Sequence, residues 1–289
     1  MDDVERVALA TGKRPAALVP APGHGAPSNR RWIARFEDGS SAFVKVAAFE
    51  YTAEWLRAEA ENYAALDGCW FLPDLFGWHD DGVAPALVVQ DLSEHRWPPP
   101  WSDTRIDAVL ATLDDLRSTP PPRNFGASPQ RELFDPLEGW AAVHQNPSGA
   151  VALGVFDLEW FDRNGRMLET AAASAVLSGN TLVHGDVRSD NLCIAGPRAI
   201  LVDWNLACRG SETFDLASWL PSLHHEGGPE PWVILPDHGE VAALLAGFFL
   251  EHARRPLIPQ APHVRRLQLD QGVVALRWAC RELGVPEPA

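Results

Sequence analysis

Two periods alternate along this chain, and where one gives way to the other the sequence divides into parts. Residues 2–11 place apolar side chains at helical spacing and predict a short amphipathic helix. A turn-rich loop, Pro22–Asn29, precedes two β-like runs, Arg31–Glu37 and Ser41–Val46, joined by Asp38-Gly39, a strong hairpin signal. Thr52–Leu66 opens on a threonine and carries apolar residues at helical spacing, so it reads as a helix. Ala84–Gln90 is a short apolar strand, and the proline-rich segment Trp97–Trp101 comes directly after it. Helical patterning then dominates. Ser102–Arg117 reads as a helix with Ser102 as N-cap, a breaker-rich loop covers Ser118–Pro129, and helical patches recur up to Ser178. Two compact β-like runs, Asn191–Ala195 and Ala199–Trp204, interrupt this region before two long amphipathic helices near Glu240–Arg255 and Val264–Leu283. The pattern predicts an α+β fold, with a small sheet-plus-helix part to about residue 90 and a mostly helical remainder.

Composition narrows what such a fold does. The 289 residues suit one large domain or two lobes, and a hydrophobic fraction of 46% supports a packed core. Lys+Arg number 24 against 39 Asp+Glu, a net charge of −15, which argues against nucleic-acid binding and is compatible with a cationic partner. Only Lys13 and Lys45 are lysines; every other basic residue is arginine. Lys13 lies in a polar stretch and carries no special expectation. The N-terminus is acidic and lacks an apolar signal core, and the longest apolar stretch, Val241–Leu250, is far short of the ~20 residues that span a bilayer. Cys69, Cys193, Cys208 and Cys280 form no CxxC pair or metal spacing, so we expect packed thiols and a reduced, cytoplasmic location.

The densest chemistry lies in Leu182–Trp204, LVHGDVRSDNLCIAGPRAILVDW. Gly196-Pro197 marks a turn between two apolar runs, and symmetry about residue 197 makes Asn191 and Asp203 approximate cross-strand partners, ~5 Å apart if directly opposed. An amide oxygen and a carboxylate at a strand end form a hard-oxygen half-site suited to Mg²⁺, which completes its shell with water and substrate phosphates. Asp186, five residues before Asn191, is placed to accept a proton from a hydroxyl. Each residue alone is as well explained by a turn. Lys45 adds weight, because an ammonium between Phe43, Val44 and Val46 on a strand is costly unless paired, and Glu54, Glu59 and Glu61 on the following helix all qualify as partners.

With these residues in view, the chain resembles the aminoglycoside phosphotransferase family, the antibiotic-kinase branch of the protein-kinase-like fold. HGDVRSDN (184–191) matches the family's HGDxxxxN catalytic loop and VDW (202–204) its metal-binding motif. GSETFDLA (210–217) matches a downstream G-x-P-x-x-D-L-A segment, with Glu212 where proline is common, and LRAEAENYAAL (56–66) resembles the helix that carries the lysine's glutamate partner. The resemblance implies a two-lobed architecture: residues 1–90 an antiparallel-sheet N-lobe, 91–101 hinge and linker, 102–289 a mostly helical C-lobe. It implies an ATP- and Mg²⁺-dependent transfer of the γ-phosphoryl group to a small-molecule hydroxyl. Asp186 would orient or deprotonate that hydroxyl, Asn191 and Asp203 would hold Mg²⁺, and Lys45 would contact the phosphates with Glu59 positioning it. Gln90, Asp91 and Leu92 would form the hinge that meets adenine, while His184 and Asp215 would brace the catalytic loop.

Departures from the pattern qualify single residues. GHGAPSN (23–29) lacks the protein-kinase glycine-rich signature, leaving Ser28 and Asn29 as candidates for capping the phosphates. Arg188 is equally readable as a phosphate contact or a surface ion pair. Acidic residues crowd the second part (Asp157, Glu159, Asp162, Glu226, Glu230 and Asp237) and favour an aminoglycoside-like cationic acceptor, although a solvated surface explains them as well. Trp160, Trp219 and Trp232 are candidate pocket walls. The alternatives are a kinase of choline, a sugar, an amino alcohol or a macrolide, and a nucleotide-binding scaffold without catalysis.

Overall fold

The computed structural model describes residues 1–21, 29–126, 139–259 and 261–288. They form two compact units. The first comprises Met1–Pro98, Thr104–Leu116 and Ser189–Ala207, and the second Pro99–Asp103, Arg117–Arg188 and Cys208–Ala289.

The first unit is built on a five-stranded antiparallel sheet. Its strands are β1 (Ala17–Pro20), β2 (Asn29–Arg35), β3 (Ser41–Ala47), β4 (Leu75–His79) and β5 (Ala86–Gln90), in the order β1-β2-β3-β5-β4. The two-residue period of β3 decides what each face carries. Ala42, Val44 and Val46 point to one face and are fully buried with Ala34, Ala86, Val88 and Val7 of helix α1 (Asp3–Thr11). Lys45, between them, points to the other face. There helix α2 (Glu50–Ala65) brings its buried stripe, which includes Leu56, Glu59 and Tyr63. Lys13 is no bystander: it pairs with Asp38 in the β2–β3 turn and lies over the Phe36 ring, 4.8 Å from its centre.

Helix α3 (Asp103–Ser118) contributes residues 104–116 to this unit. After β6 (Thr181–Val183) of the second unit, the chain returns as a hairpin of β7 (Leu192–Ala195) and β8 (Arg198–Leu201). Thr112 of α3 accepts the Ala199 N–H at 2.8 Å, and Leu201 N–H donates to Phe71 O at 2.9 Å. Leu92, Cys193 and Ile200 form a small apolar cluster. The hairpin register corrects the sequence expectation by one residue. Gly196-Pro197 is a two-residue turn, so Leu192 opposes Leu201 and Ala195 opposes Arg198. Asn191 therefore meets Val202, whose N–H donates to Asn191 O at 2.9 Å, and not Asp203. The second strand also stops early, since Trp204–Leu206 forms a 3-10 turn in place of extended chain.

In the second unit β6 pairs with β9 (Cys208–Gly210). Around them lie the helices α4 (Trp140–Gln145), α5 (Pro147–Val151), α6 (Leu158–Ser174), α7 (Phe214–His225), α8 (Pro231–Ile234), α9 (Gly239–Ala253) and α10 (Val264–Leu283). The last two were expected from periodicity, and α9 packs against both α10 and α6. Trp160 and Trp219 are buried in this helical core, the indole of Trp160 donating to Pro286 O at 2.8 Å, while Trp232 stacks under Arg281. Cys193, Cys208 and Cys280 are buried free thiols; burial pushes Cys193 and Cys280 up to about 12, which leaves them protonated and inert. Among the described residues no helix is long and apolar enough to cross a membrane.

Candidate active site

In the first unit three charged side chains converge. The Lys45 ammonium donates to Glu59 Oε1 at 2.7 Å and Oε2 at 2.9 Å, and also to Asp203 Oδ1. Of the three glutamates that the sequence left open, α2 buries only Glu59 (3% exposed), because it falls on the helix's inward stripe while Glu54 and Glu61 face solvent. Burial alone would lower the lysine pKa, but the Asp203 and Glu59 carboxylates outweigh it and hold Lys45 above its ordinary value. Glu59 is raised by burial and by the Asp203 charge, against the pull of Lys45 and Arg31. One ammonium thus faces two carboxylates. The buried Tyr63 hydroxyl, one turn on from Glu59, is likewise pushed up by burial and by both carboxylates.

Asp203 sits at the mouth of the hairpin with φ 65° and ψ 58°, a left-handed conformation uncommon outside glycine that aspartate and asparagine adopt more readily than other side chains. Its side chain is one-third exposed, whereas Asn191, ending the Ser189–Asn191 3-10 turn, is buried. Among the described residues no group of three or more His, Cys, Asp or Glu is placed to hold a metal. The donor set expected from the sequence is one carboxylate and one amide oxygen, carried by residues that flank the two ends of one hairpin. That set fits Mg²⁺, a hard cation that takes few protein ligands and fills its shell from water and phosphate, and it fits no thiolate or imidazole metal.

The second unit holds the loop after β6. Asp215, near the start of α7, accepts the backbone N–H of His184 at 2.7 Å and of Gly185 at 2.9 Å. Gly185 has φ 89°, so a side chain there would strain the turn that presents both N–H groups to one carboxylate. Burial raises the Asp215 pKa, opposed by His184 and the two N–H bonds. His184 is fully buried, and its Nδ1 accepts the Asp186 N–H at 3.2 Å. The Asp186 carboxylate, partly exposed, lies 3.7 Å from Arg188 Nε within the same loop.

The remaining candidates are placed less uniformly. Gln90 ends β5, its N–H donating to Asp74 O at 2.9 Å. Asp91 accepts from Ser93, and Leu92 O accepts the His95 N–H at 3.0 Å and the Trp97 indole at 3.2 Å. Asn29 opens β2 with its Oδ1 buried and without a hydrogen-bond partner among the described residues; Ser28 lies outside them. Several of the predicted acids have local duties: Asp157 caps α6 at Trp160 N (2.7 Å), Glu226 accepts the Trp101 indole (2.8 Å), Glu230 meets His224 (3.2 Å) and Glu159 meets Arg163 (3.4 Å). Sequence reasoning missed Asn62, whose amide donates to Trp204 O at 2.7 Å. The signal that could have found it is spacing: three residues past Glu59, it shares that residue's side of the helix.

The family model described as the phosphotransferase enzyme family matches residues 22–278. No curated protein matches the sequence. Among solved structures, the chain is similar to a protein assigned as a fructosamine-3-kinase from Thermobifida fusca, at 18% identity and TM-score 0.58, covering 96% of this chain and 99% of that one. It is similar to a thermostable mutant of an aminoglycoside phosphotransferase in ternary complex with ADP and hygromycin B (13% identity, TM-score 0.56, 95% and 99% covered). A macrolide 2'-phosphotransferase from Brachybacterium faecium follows at 15% identity and TM-score 0.50, with 99% of each chain covered. At such identities the likeness is one of fold, and the fold is the kinase-like α+β architecture that these enzymes share.

Proposed function

The chain belongs to the phosphotransferase enzyme family and is a small-molecule phosphotransferase, and we propose that it moves the γ-phosphoryl group of ATP to a hydroxyl of a cationic small molecule, an aminoglycoside-like antibiotic being the first choice. The observation that carries this reading is the Lys45–Glu59–Asp203 constellation, with Lys45 and Glu59 buried, beside Asn191. A lysine held cationic on a strand, with an acidic partner on each side, is what phosphate positioning demands, since phosphoryl transfer is mostly positioning and charge neutralisation.

In this reading Lys45 binds the α/β-phosphates and Glu59 fixes the ammonium. Asn191 and Asp203 hold Mg²⁺, which when bound neutralises phosphate charge. Gln90, Asp91 and Leu92 meet the adenine, with Ser28 and Asn29 beside the phosphates. Asp186 accepts the acceptor's hydroxyl proton, with Arg188 Nε 3.7 Å from its carboxylate. Asp215 and His184 hold the loop through the N–H groups of residues 184–186. The proposed division of labour is residues 1–90 for the nucleotide, 91–101 for the hinge, and 102–289 for the catalytic loop, the Mg²⁺ ligands and the acceptor. The net charge of −15 and the acids of the second part support a cationic acceptor, placed in the cytoplasm where ATP is supplied.

ADP release in the presence of Mg²⁺·ATP, measured with a panel of hydroxylated amines against neutral sugars and macrolides, tests the reading. Amine-stimulated release is expected from the native chain, and loss of at least about 10²-fold from Asp186→Ala, with nucleotide binding kept. Release stimulated only by a neutral acceptor overturns the cationic substrate; release indifferent to any acceptor, or undiminished in Asp186→Ala, overturns the transfer mechanism.

A further inference from the structure

The face of the sheet that carries Lys45 is laid out by strand register. β2 and β3 pair residue for residue, with Arg31 directly opposite Lys45 and Ile33 opposite Phe43. Directly opposed residues share a face, their Cβ atoms about 5 Å apart, so Arg31 and Ile33 stand on the Lys45 side. The residues between them keep the alternation: Arg30 and Trp32 turn to the other face, where both donate to Asp3 of α1. On its far side β3 pairs with β5, Lys45 with Leu87 and Phe43 with Val89. Two rows therefore cross the sheet. The apolar row Val89–Phe43–Ile33 lies beside Gln90. The next row, two residues or about 7 Å farther along the strands, reads Leu87–Lys45–Arg31 and ends in two cations. Helix α2 packs on β3, β4 and β5, which sets it over the Leu87 end of that row and leaves Arg31 at the other end.

We propose that Arg31 is a second phosphate-binding cation of the nucleotide site, reaching a phosphate from β2 while Lys45 reaches one from β3. The charge balance of the site calls for it. The Lys45 ammonium is already shared by Glu59 and Asp203, so these three side chains sum to one net negative charge. A polyphosphate adds to that excess even with one divalent cation bound, and Arg31 is the next cation on the same face. Its Nε is shielded from solvent, and the guanidinium lies near enough to Glu59 to favour the ionised carboxylate. In such a setting a charged donor is worth more than at the surface, and a guanidinium offers a fork that matches two phosphate oxygens. The chain also lacks the glycine-rich signature whose backbone N–H groups would cap the phosphates, so donors on side chains at the start of β2 take on that task.

This inference rests on the reading that a nucleotide binds at Lys45, and its test separates the two. The affinities of the full-length protein for ADP and for adenosine are measured by calorimetry in EDTA. Arg31→Gln is expected to weaken ADP by about 10–100-fold, the loss of a charge-assisted hydrogen bond, with adenosine within about twofold of native. Arg31→Lys keeps the charge without the fork and is expected to recover part of the loss. Arg57→Gln removes an equal charge from α2, where it pairs with Asp80 at the surface, and is expected to leave ADP affinity within about twofold. An indirect role, in which Arg31 acts only by keeping Glu59 ionised, has a different signature: Arg31→Gln would then cost nothing further in a Glu59→Gln background, whereas a direct phosphate contact keeps its loss there. Native protein that binds neither compound overturns the nucleotide reading and this proposal with it. Native ADP binding together with unchanged affinity in Arg31→Gln, an equal loss of ADP and adenosine in both Arg31 variants, an equal loss in Arg57→Gln, or a loss that vanishes in the Glu59→Gln background overturns this proposal alone.

Discussion

Lys45 owes its position to an imbalance of one positive against two negative side chains. Removing it and removing Glu59 are therefore unequal changes. Lys45→Met leaves Glu59 and Asp203 without their shared ammonium, and the buried Glu59 must take up a proton or remain uncompensated; a cost of about 3–5 kcal/mol is expected. Glu59→Gln leaves Lys45 paired with Asp203, so its cost is smaller. Urea unfolding of both variants at pH 7 compares them, and equal losses would contradict this account of the triad. Residues of this kind announce themselves in the sequence because they violate a local expectation: a lysine between valines needs a reason. Asn62 violates none. An asparagine between Glu61 and Tyr63 on an amphipathic helix reads as a solvated polar group; its spacing from Glu59 is a hint, but the fold is what shows that the chain returns, 142 residues later, to place a carbonyl against it.

At the level of elements, α1 is tied to the sheet by two contacts of different chemistry. Asp3 receives Arg30 through Nε and Nη2, both at 2.9 Å, and the Trp32 indole at 2.9 Å. Burial raises its carboxyl, but the bonds from Arg30 and Trp32 outweigh it and the net pKa is lowered. A lowered folded pKa means stability that is complete above the ordinary carboxylate range and lost as pH falls through the folded value. Asp3→Asn is thus expected to cost about 1–2 kcal/mol at pH 7, with the gap to the parent closing below about pH 4, which unfolding curves across that range would reveal. The second contact is steric. A Cβ on Gly77 of β4 would stand 2.1 Å from Ala10 O, so Gly77→Ala must move α1 or β4. A loss of about 1–3 kcal/mol is expected by thermal unfolding, and an unchanged transition would mean that the helix is not seated there. Both contacts involve β4 or the start of α1, and β4, like β1, is a strand that periodicity does not reveal. β1 and β4 are the sheet's edges, four and five residues long, and β4 carries a bulge between Leu75 and Gly77 that breaks the alternation. The three-residue β6 and β9 are too short to show any period. Central strands β2 and β3 were legible as β-like runs on either side of the Asp38-Gly39 turn, and β5 as a continuous apolar run whose first four residues are all buried.

At the scale of the whole chain, the feature the sequence could not carry is that the first compact unit is discontinuous. Hydrophobic pattern is a local signal and places a change of character near residue 90, yet residues 104–116 and 189–207 complete the unit that residues 1–98 begin. The completion is structural. Leu92 packs on Cys193 and Ile200, Phe71 is covered by Trp204 and gives its carbonyl to Leu201, and Arg96 bridges to Ile194. Thr112, fully buried, bonds to the Ala199 N–H. A fragment of residues 1–98 would expose Phe71 and Leu92 and leave Lys45 facing Glu59 without Asp203. Burying that ion pair in the fragment has to be supported by less apolar area and by one carboxylate fewer. The fragment is therefore expected to lack a cooperative urea transition and to bind a hydrophobic dye, whereas the full chain unfolds cooperatively in its first unit, followed by hydrogen exchange of the β2 and β3 amides. A cooperative transition for 1–98 alone would mean that the sheet and its two helices are self-sufficient, and that the hairpin carrying Asn191 and Asp203 is added to a finished domain. On the geometry seen here the order is the reverse: the hairpin is part of what makes the unit fold, so a chain that has completed its core has also assembled the charged cluster proposed to hold the phosphates.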